Sequence, residues 1–296
     1  MHDRDNGTTE RFLHERQRLF SIAYSIVGDL GEAEDVVQEA WLRLCRASAE
    51  IDDTSGWLVV TTSRLALDVM RSARKRREDY VGPWLPDPLV ESADTDPADR
   101  AALADSVSMA VLVVLETLSP AERTAFVLHD VFGLPFTEVA EAVGRSTAAV
   151  RQLAARARKQ VRGRTPRFDA DPVRQREVVR AFSAACEGAD PTALLNLLDP
   201  DIVLRSDGGG VVTAARHPVR GAGKVARFLA GISRKQPDTE LWPARVNGAA
   251  GLLKFNGEYL TSVIAPTIGD DRITAIDIVL HPEKLARACA CRNETE

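Results

Sequence analysis

Apolar residues recur at helical spacing through the first half of the chain. In residues 18–30, Leu19, Ile22, Ala23, Ile26 and Val27 share one face until Gly28 and Asp29 interrupt it. Residues 29–32, Asp-Leu-Gly-Glu, resemble a capping box that opens a second helix with Ala33, Val36, Val37, Ala40, Trp41 and Leu44 turned inward. A third long helix is predicted from Trp57 to Arg77, with Leu58, Leu65 and Val69 on its apolar side. Helical spacing resumes near Val107, and Ser119-Pro120-Ala121-Glu122 combines a capping Ser, Pro at the first helical position and Glu at the third. Two short helices follow, Glu138–Val143 and one beginning near Ser146, with the turn at Gly144.

After Arg167 the texture changes. Asp171-Pro172 and Asp190-Pro191 each open a helix, and then strand-like runs appear at 202–207, 211–216, 251–256, 261–268 and 272–280, with one helix at 221–232 among them. Helices followed by mostly antiparallel strands predict an α+β domain. Between the halves, residues 78–105 hold Pro83, Pro86, Pro88 and Pro97 among acids, a linker composition. Trp84 and Leu85 sit between those prolines, so part of the segment is expected to dock on something.

Charge sharpens this division. The chain has 296 residues and a formal net charge of -5, yet the sign alternates in bands. Asp29–Asp53 carries eight acids against two Arg, Arg64–Arg77 six bases against one Asp, and Glu78–Asp105 eight acids against one Arg. Arg145–Arg167 then holds eight bases and no acid. Because charges are screened within about 10 Å at moderate salt, the bands govern binding more than the sum does. Two basic faces and an acidic connector result. No stretch reaches the ~20 apolar residues of a membrane span and the N-terminus lacks a signal-peptide pattern, so a cytoplasmic location is expected. Cys45, Cys186, Cys289 and Cys291 are scattered thiols, and neither a metal cluster nor a cofactor motif is apparent.

A helix, a tight turn at Gly144 and a second helix form the helix-turn-helix pattern, whose second helix enters the major groove. Its apolar face would be Val150, Ala154, Ala157 and Val161. Arg145, Thr147, Arg151, Gln152, Ala155, Arg156 and Lys159 are left to face DNA. Arg pairs bidentately with guanine and Gln with adenine, while flanking bases suit phosphates. A second stripe, Arg64, Asp68, Arg71 and Lys75, repeats along the third helix.

Taken in order and spacing, residues 11 to about 165 resemble an extracytoplasmic-function sigma factor of bacterial RNA polymerase. The resemblance is carried by Glu32–Leu44, Trp57–Arg77, an acidic linker and Leu118–Lys159. It implies that Asp35, Val36, Val37, Gln38 and Glu39 bind the clamp coiled coil of the polymerase β′ subunit, with the β flap a further contact. Arg64, Arg71, Arg74 and Lys75 would then meet the minus-10 element, and the helix-turn-helix residues the minus-35 element. Thr62 and Ser63 depart from the Arg-Asn common in the family, and Ala155 is small where relatives can be bulky.

The remaining 126 residues resemble the SnoaL-like extension of one branch of that family, on three motifs: Trp84–Pro88, Asp207–Gly210 and Asn247–Gly251, the last with Ala250 where Pro is usual. The fold implied is multidomain: two all-α domains, sigma region 2 at 8–80 and helix-turn-helix region 4 at 106–168, a linker at 81–105, and an α+β SnoaL-like cone at 169–296. The implied function is a sigma factor that joins core RNA polymerase, directs initiation at promoter DNA and is modulated in cis by its extension, with no separate anti-sigma factor. The regulatory contacts implied are Trp84, Leu85, Pro86, Pro88, Asp207, Gly208, Gly209, Asn247 and Gly248. The cone's pocket is a candidate site for a small ligand. Two alternatives compete: a polymerase-independent repressor, and a fused cyclase or isomerase using Asp207, His217, Asp277 or His281 as acid or base. Each of those four also has a plain structural reading, and no enzymatic activity is expected.

Overall fold

A computed structural model describes residues 2–47, 51–78, 80–91, 107–164 and 171–290, excepting the side chains of 2–8, 74–78, 164 and 289–290. The described chain forms two compact units, one of residues 2–47, 51–78, 107 and 114–163, the other of residues 80–91, 108–113 and 171–290.

The first unit is helical. α1 (His2–Val27) stops at Gly28, whose φ of 80° suits a residue without a Cβ. α2 (Leu30–Arg46) is capped by the Asp29 carboxylate, which accepts from the Glu32 N–H at 3.0 Å. α3 (Thr54–Glu78) begins one turn earlier than its apolar pattern suggests, because Asp53 accepts from the Gly56 N–H at 2.9 Å. Leu19, Ile22, Ile26, Ala33, Val36, Leu58 and Leu67 fill the core between these helices. After α4 (Met109–Leu115), whose residues 109–113 belong to the second unit, the Ser119–Glu122 capping box starts α5 (Pro120–Phe126). A π-helical turn, Val127–Val131, carries the chain on to α6 (Phe136–Val143). Gly144, left-handed at φ 69°, makes the sharp turn into α7 (Thr147–Arg164).

Arg123, in α5, is fully buried. Its Nε donates to the Ser25 carbonyl of α1 at 3.1 Å and it forms an ion pair with Glu116. An arginine in a short amphipathic helix reads from sequence as a surface residue, and only the tertiary packing reveals it as an internal strut.

The second unit contains α8 (Pro172–Glu187), α9 (Pro191–Leu197), α10 (Ala222–Lys235), α11 (Pro282–Ala290) and a seven-stranded mixed sheet. Its strands are β1 (Val90–Glu91), β2 (Leu198–Asp207), β3 (Val219–Arg220), β4 (Thr239–Val246), β5 (Ala249–Asn256), β6 (Tyr259–Gly269) and β7 (Arg272–Val279), in the order β1-β4-β5-β6-β7-β2-β3. All neighbours are antiparallel except β2 and β7. Phe182, Leu194, Ile202, Leu204, Val225, Leu252 and Ile276 form the main core, so the α+β class expected from the sequence holds.

Three local expectations change. Residues 211–216 form no strand: the Gly208 carbonyl accepts from the N–H groups of Val211 and Val212, which closes a turn. β4 escapes the sequence pattern because Pro243 interrupts it; among the described residues Pro243 pairs with Leu252 of β5, and β1 pairs with Arg245 and Val246. Residues 80–91, read as part of a linker, belong to the second compact unit and supply its edge strand, with Val90 paired to Val246 and Glu91 to Arg245.

Candidate functional site

The α2 segment divides by side. Asp35 and Gln38 are exposed, Glu39 is partly exposed and receives the Arg43 Nε at 2.8 Å, while Val36 and Val37 are core residues. An acidic face with a Gln, braced from behind by two valines, can present carboxylates and an amide to a partner helix.

On α3, Arg64 and Arg71 are exposed, whereas the Arg74 and Lys75 side chains lie outside the described residues. Arg64 does not point freely into solvent. Its Nε and Nη2 donate to the Glu141 carbonyl of α6 at 3.2 and 3.0 Å, and Nη2 lies 3.4 Å from the Glu141 carboxylate. Arg71 pairs with Asp68 at 2.9 Å. Thr62 and Ser63 are buried, and the Ser63 hydroxyl bonds back to the Val59 carbonyl, which leaves neither side chain facing outward.

On α7, Val150, Leu153, Ala154, Ala157 and Val161 are buried. Arg145, Arg151, Gln152, Ala155, Arg156 and Lys159 are exposed and Thr147 is partly so. The Arg151 guanidinium lies over the Phe136 ring at 5.4 Å, and Arg156 pairs with Glu122 at 3.0 Å. Exposed surface pairs of this kind are worth about 0–1 kcal/mol, so a polyanion can displace them. The face is basic and available.

A different kind of site lies in the second unit, where residues 80–91 meet the ends of β2 and β4 and helix α11. Asp207 is buried and accepts four bonds. Tyr80 Oη and the Gly209 N–H donate to Oδ1 at 2.6 and 3.0 Å, and the Leu85 N–H and Lys284 Nζ donate to Oδ2 at 2.9 and 3.0 Å. Lys284 is also buried. Its Nζ donates to the Leu85 carbonyl, lies 3.7 Å from Asp87 and sits 4.2 Å from the centre of the Trp84 ring. Asp87 forms an ion pair with Arg287, whose Nε lies 3.1 Å from Oδ2. Burial, and then the hydrogen bond to Asp207, push the Tyr80 hydroxyl well above the ordinary phenol range, so it stays a proton donor.

The backbone explains the glycines. Gly209 has φ 63°, and a Cβ there would overlap the His281 ring. At Gly208 a Cβ would come within 2.5 Å of the Val212 carbonyl oxygen. Further along, Asn247 adopts φ 50° and exchanges two bonds with Leu89: the Leu89 N–H donates to Oδ1 at 3.1 Å, and the Asn247 N–H donates to the Leu89 carbonyl at 2.8 Å. Leu85, Pro86, Pro88 and Leu89 are buried, Trp84 half-buried. Trp84, Leu85, Asp207, Gly208, Gly209, Asn247 and Gly248 are thus brought to one strip. Tyr80, Asp87, Lys284 and Arg287 complete it. Nothing in local pattern flags Lys284, since one lysine in a terminal helix looks like a solvated residue.

The same unit contains a cavity of about 850 Å³. None of Asp207, His217, Asp277 and His281 lines it. Asp207 belongs to the junction, and His281 Nδ1 accepts from the Glu283 N–H at the start of α11. His217 is exposed in a loop, and Asp277 is fully buried in a bidentate pair with Arg205 at 2.6 and 3.2 Å. Burial raises the Asp277 carboxyl pKa, against the pull of Arg205. Among the described residues no group of three or more His, Cys, Asp or Glu is placed to hold a metal. Nor is any described helix long and apolar enough to cross a membrane.

A helical unit with an exposed acidic helix face and a basic helix-turn-helix is the arrangement expected of a sigma factor. Residues 12–76 match Sigma-70 region 2, and residues 108–161 match Sigma-70, region 4. The chain belongs to the extracytoplasmic-function (ECF) family of RNA polymerase sigma factors. It is 41% identical over 281 residues to the ECF RNA polymerase sigma factor SigJ of Mycobacterium tuberculosis (strain ATCC 25618 / H37Rv), covering 91% of this chain and 90% of that protein. It is 40% identical over 274 residues to the probable ECF sigma factor SigI of Mycobacterium tuberculosis (strain CDC 1551 / Oshkosh), covering 91% and 92%. The crystal structure of the Mycobacterium tuberculosis SigJ superposes with a TM-score of 0.77 at 38% identity, over 94% of this chain and 98% of that one.

Proposed function

We propose that this sigma factor binds core RNA polymerase through the α2 face of Asp35, Gln38 and Glu39, docking on the β′ clamp coiled coil, with region 4 reaching the β flap. In this reading Arg64, Arg71, Arg74 and Lys75 engage the minus-10 element, and Arg145, Thr147, Arg151, Gln152, Ala155, Arg156 and Lys159 the minus-35 element. The C-terminal domain sets activity in cis, no separate anti-sigma factor is required, and the cavity receives a small ligand.

One observation carries the regulatory part. The segment that directly follows α3 in the chain is bonded into the C-terminal domain through one buried carboxylate with four donors, Asp207. Residues 80–91 are therefore a mount while the bonds hold. Released, their twelve residues would be a tether spanning up to about 40 Å. A signal that alters the Asp207 cluster changes the constraint on the connector between the two promoter-reading regions, which is a local charge and packing event with a distant readout.

The repressor alternative gives no role to the exposed acidic α2 face. The enzyme alternative lacks support at the cavity, where none of its four acid–base candidates is found. Transcription in cells separates the readings: substituting Asp35, Gln38 and Glu39 abolishes promoter output if the protein works through polymerase, and leaves it intact for a polymerase-independent repressor.

A further inference from the structure

The cavity is bounded by α8, α10, the 212–215 loop and strands β2, β4, β5, β6 and β7. Much of its wall is apolar, with Phe228, Leu229, Ile232, Ile264 and Ile278. At about 850 Å³ it lies within the ~300–1,000 Å³ range of small-molecule pockets. Lys254 of β5 stands in this wall, half-buried. Its Nζ donates to Gln236 Oε1 at 2.7 Å, and among the described residues no carboxylate comes within 4.0 Å of it. Burial lowers its pKa, as expected of an ammonium taken from water without a counter-ion. The neighbouring Cys186 adds no negative charge, because burial pushes its thiol up to about 12. Arg234 and Lys235 also line the cavity and Glu187 is its single acid, so the lining is net positive.

An ammonium partly withdrawn from water beside aliphatic and aromatic side chains, and bonded among the described residues to a neutral amide, is an incomplete ion pair. We propose that the cavity binds a carboxylic acid with an apolar body, the carboxylate completing the pair with Lys254 and the hydrocarbon lying against Phe228, Ile264 and Ile278. This rests on the reading that the cavity takes a small ligand, and it names the ligand's class. The neutral Gln236 amide supports the arrangement, since it can hold the ammonium in place without cancelling its charge. Because Ser206 lines the cavity one residue before Asp207, the bound acid would sit next to the strand end that carries the regulatory junction.

The test uses the purified full-length chain and two probes of equal chain length, decanoate and decanol, followed by titration calorimetry. A charge-assisted hydrogen bond is worth about 1.5–3 kcal/mol, so decanoate binds at least about tenfold tighter than decanol. Lys254→Met weakens decanoate by at least about tenfold and leaves decanol within about threefold, while Lys254→Arg keeps the preference for decanoate. Equal binding of the two probes to the native chain, or decanoate binding that Lys254→Met leaves unchanged, overturns the ligand class while a small-ligand site survives. No saturable binding of either probe overturns both.

Discussion

Replacing Asp207 by Asn tests the junction with little change of volume. The amide oxygen still accepts from Tyr80 and the Gly209 N–H, which meet Oδ1 in the native protein. The amide nitrogen then faces two donors, the Leu85 N–H and Lys284 Nζ, which meet Oδ2. The substitution also removes the nearer of the two carboxylates beside the buried Lys284 ammonium, leaving Asp87 at 3.7 Å together with the Leu85 carbonyl and the Trp84 ring. Removing one partner of a buried pair typically costs ~3–5 kcal/mol. Taking about 3 kcal/mol, because Asp87 partly compensates, local opening of residues 80–91 becomes roughly 150-fold more frequent. Hydrogen exchange read by mass spectrometry checks this: peptides covering 80–91 lose protection by about two orders of magnitude, while β5–β7 peptides change little. If Asp207→Asn exchanges residues 80–91 at the native rate, the carboxylate does not hold the segment and the regulatory proposal fails. If the sheet and the segment lose protection equally, Asp207 is a general stability residue and the junction has no separate existence.

Three further outcomes follow from particular contacts. Gly209→Ala forces a Cβ into the His281 ring at φ 63°, and thermal unfolding shows the C-terminal unit destabilised by ~1–3 kcal/mol. Arg123→Met removes the ion pair with Glu116 and the bond to the Ser25 carbonyl, costing ~3–5 kcal/mol of the helical unit's stability, measured by urea unfolding. At pH 8, an alkylating reagent modifies the exposed Cys45 within minutes, while Cys186, a buried thiol with a pKa near 12, remains unlabelled in native protein and reacts once the chain is unfolded.

Much of the helical half was legible from sequence because its signals are local. Caps at Asp29 and Ser119, glycine stops at Gly28 and Gly144 and a 3.6-residue apolar period each act within one turn. The basic face of α7 was legible for the same reason. What sequence could not supply are the bonds that span the chain. Arg64 meets Glu141, and Lys284 meets Asp207 and Leu85, across separations of 77, 77 and 199 residues. Trp84 and Leu85 announced a docked segment by being apolar among prolines, and Asp207 announced a special turn by its three glycines. That the two features meet depends on how β1 adds to β4 at the sheet edge. β4 itself was hidden by Pro243, a residue that breaks the apolar and β-branched pattern by which a strand is recognised. Lys254 was equally silent, since only its place in the cavity wall distinguishes it from any other strand lysine.

The central claim is that this ECF sigma factor initiates transcription under the control of a C-terminal domain acting through residues 80–91. Run-off transcription with purified core polymerase on a promoter mapped for this protein tests it directly, comparing the native chain with Asp207→Asn and with Asp35→Ala/Gln38→Ala. The account predicts promoter-specific transcript from the native chain, its loss on changing the α2 face, and a several-fold change in output when the junction is broken. Native and Asp207→Asn proteins giving the same transcript level while exchange confirms that the segment is released would contradict it.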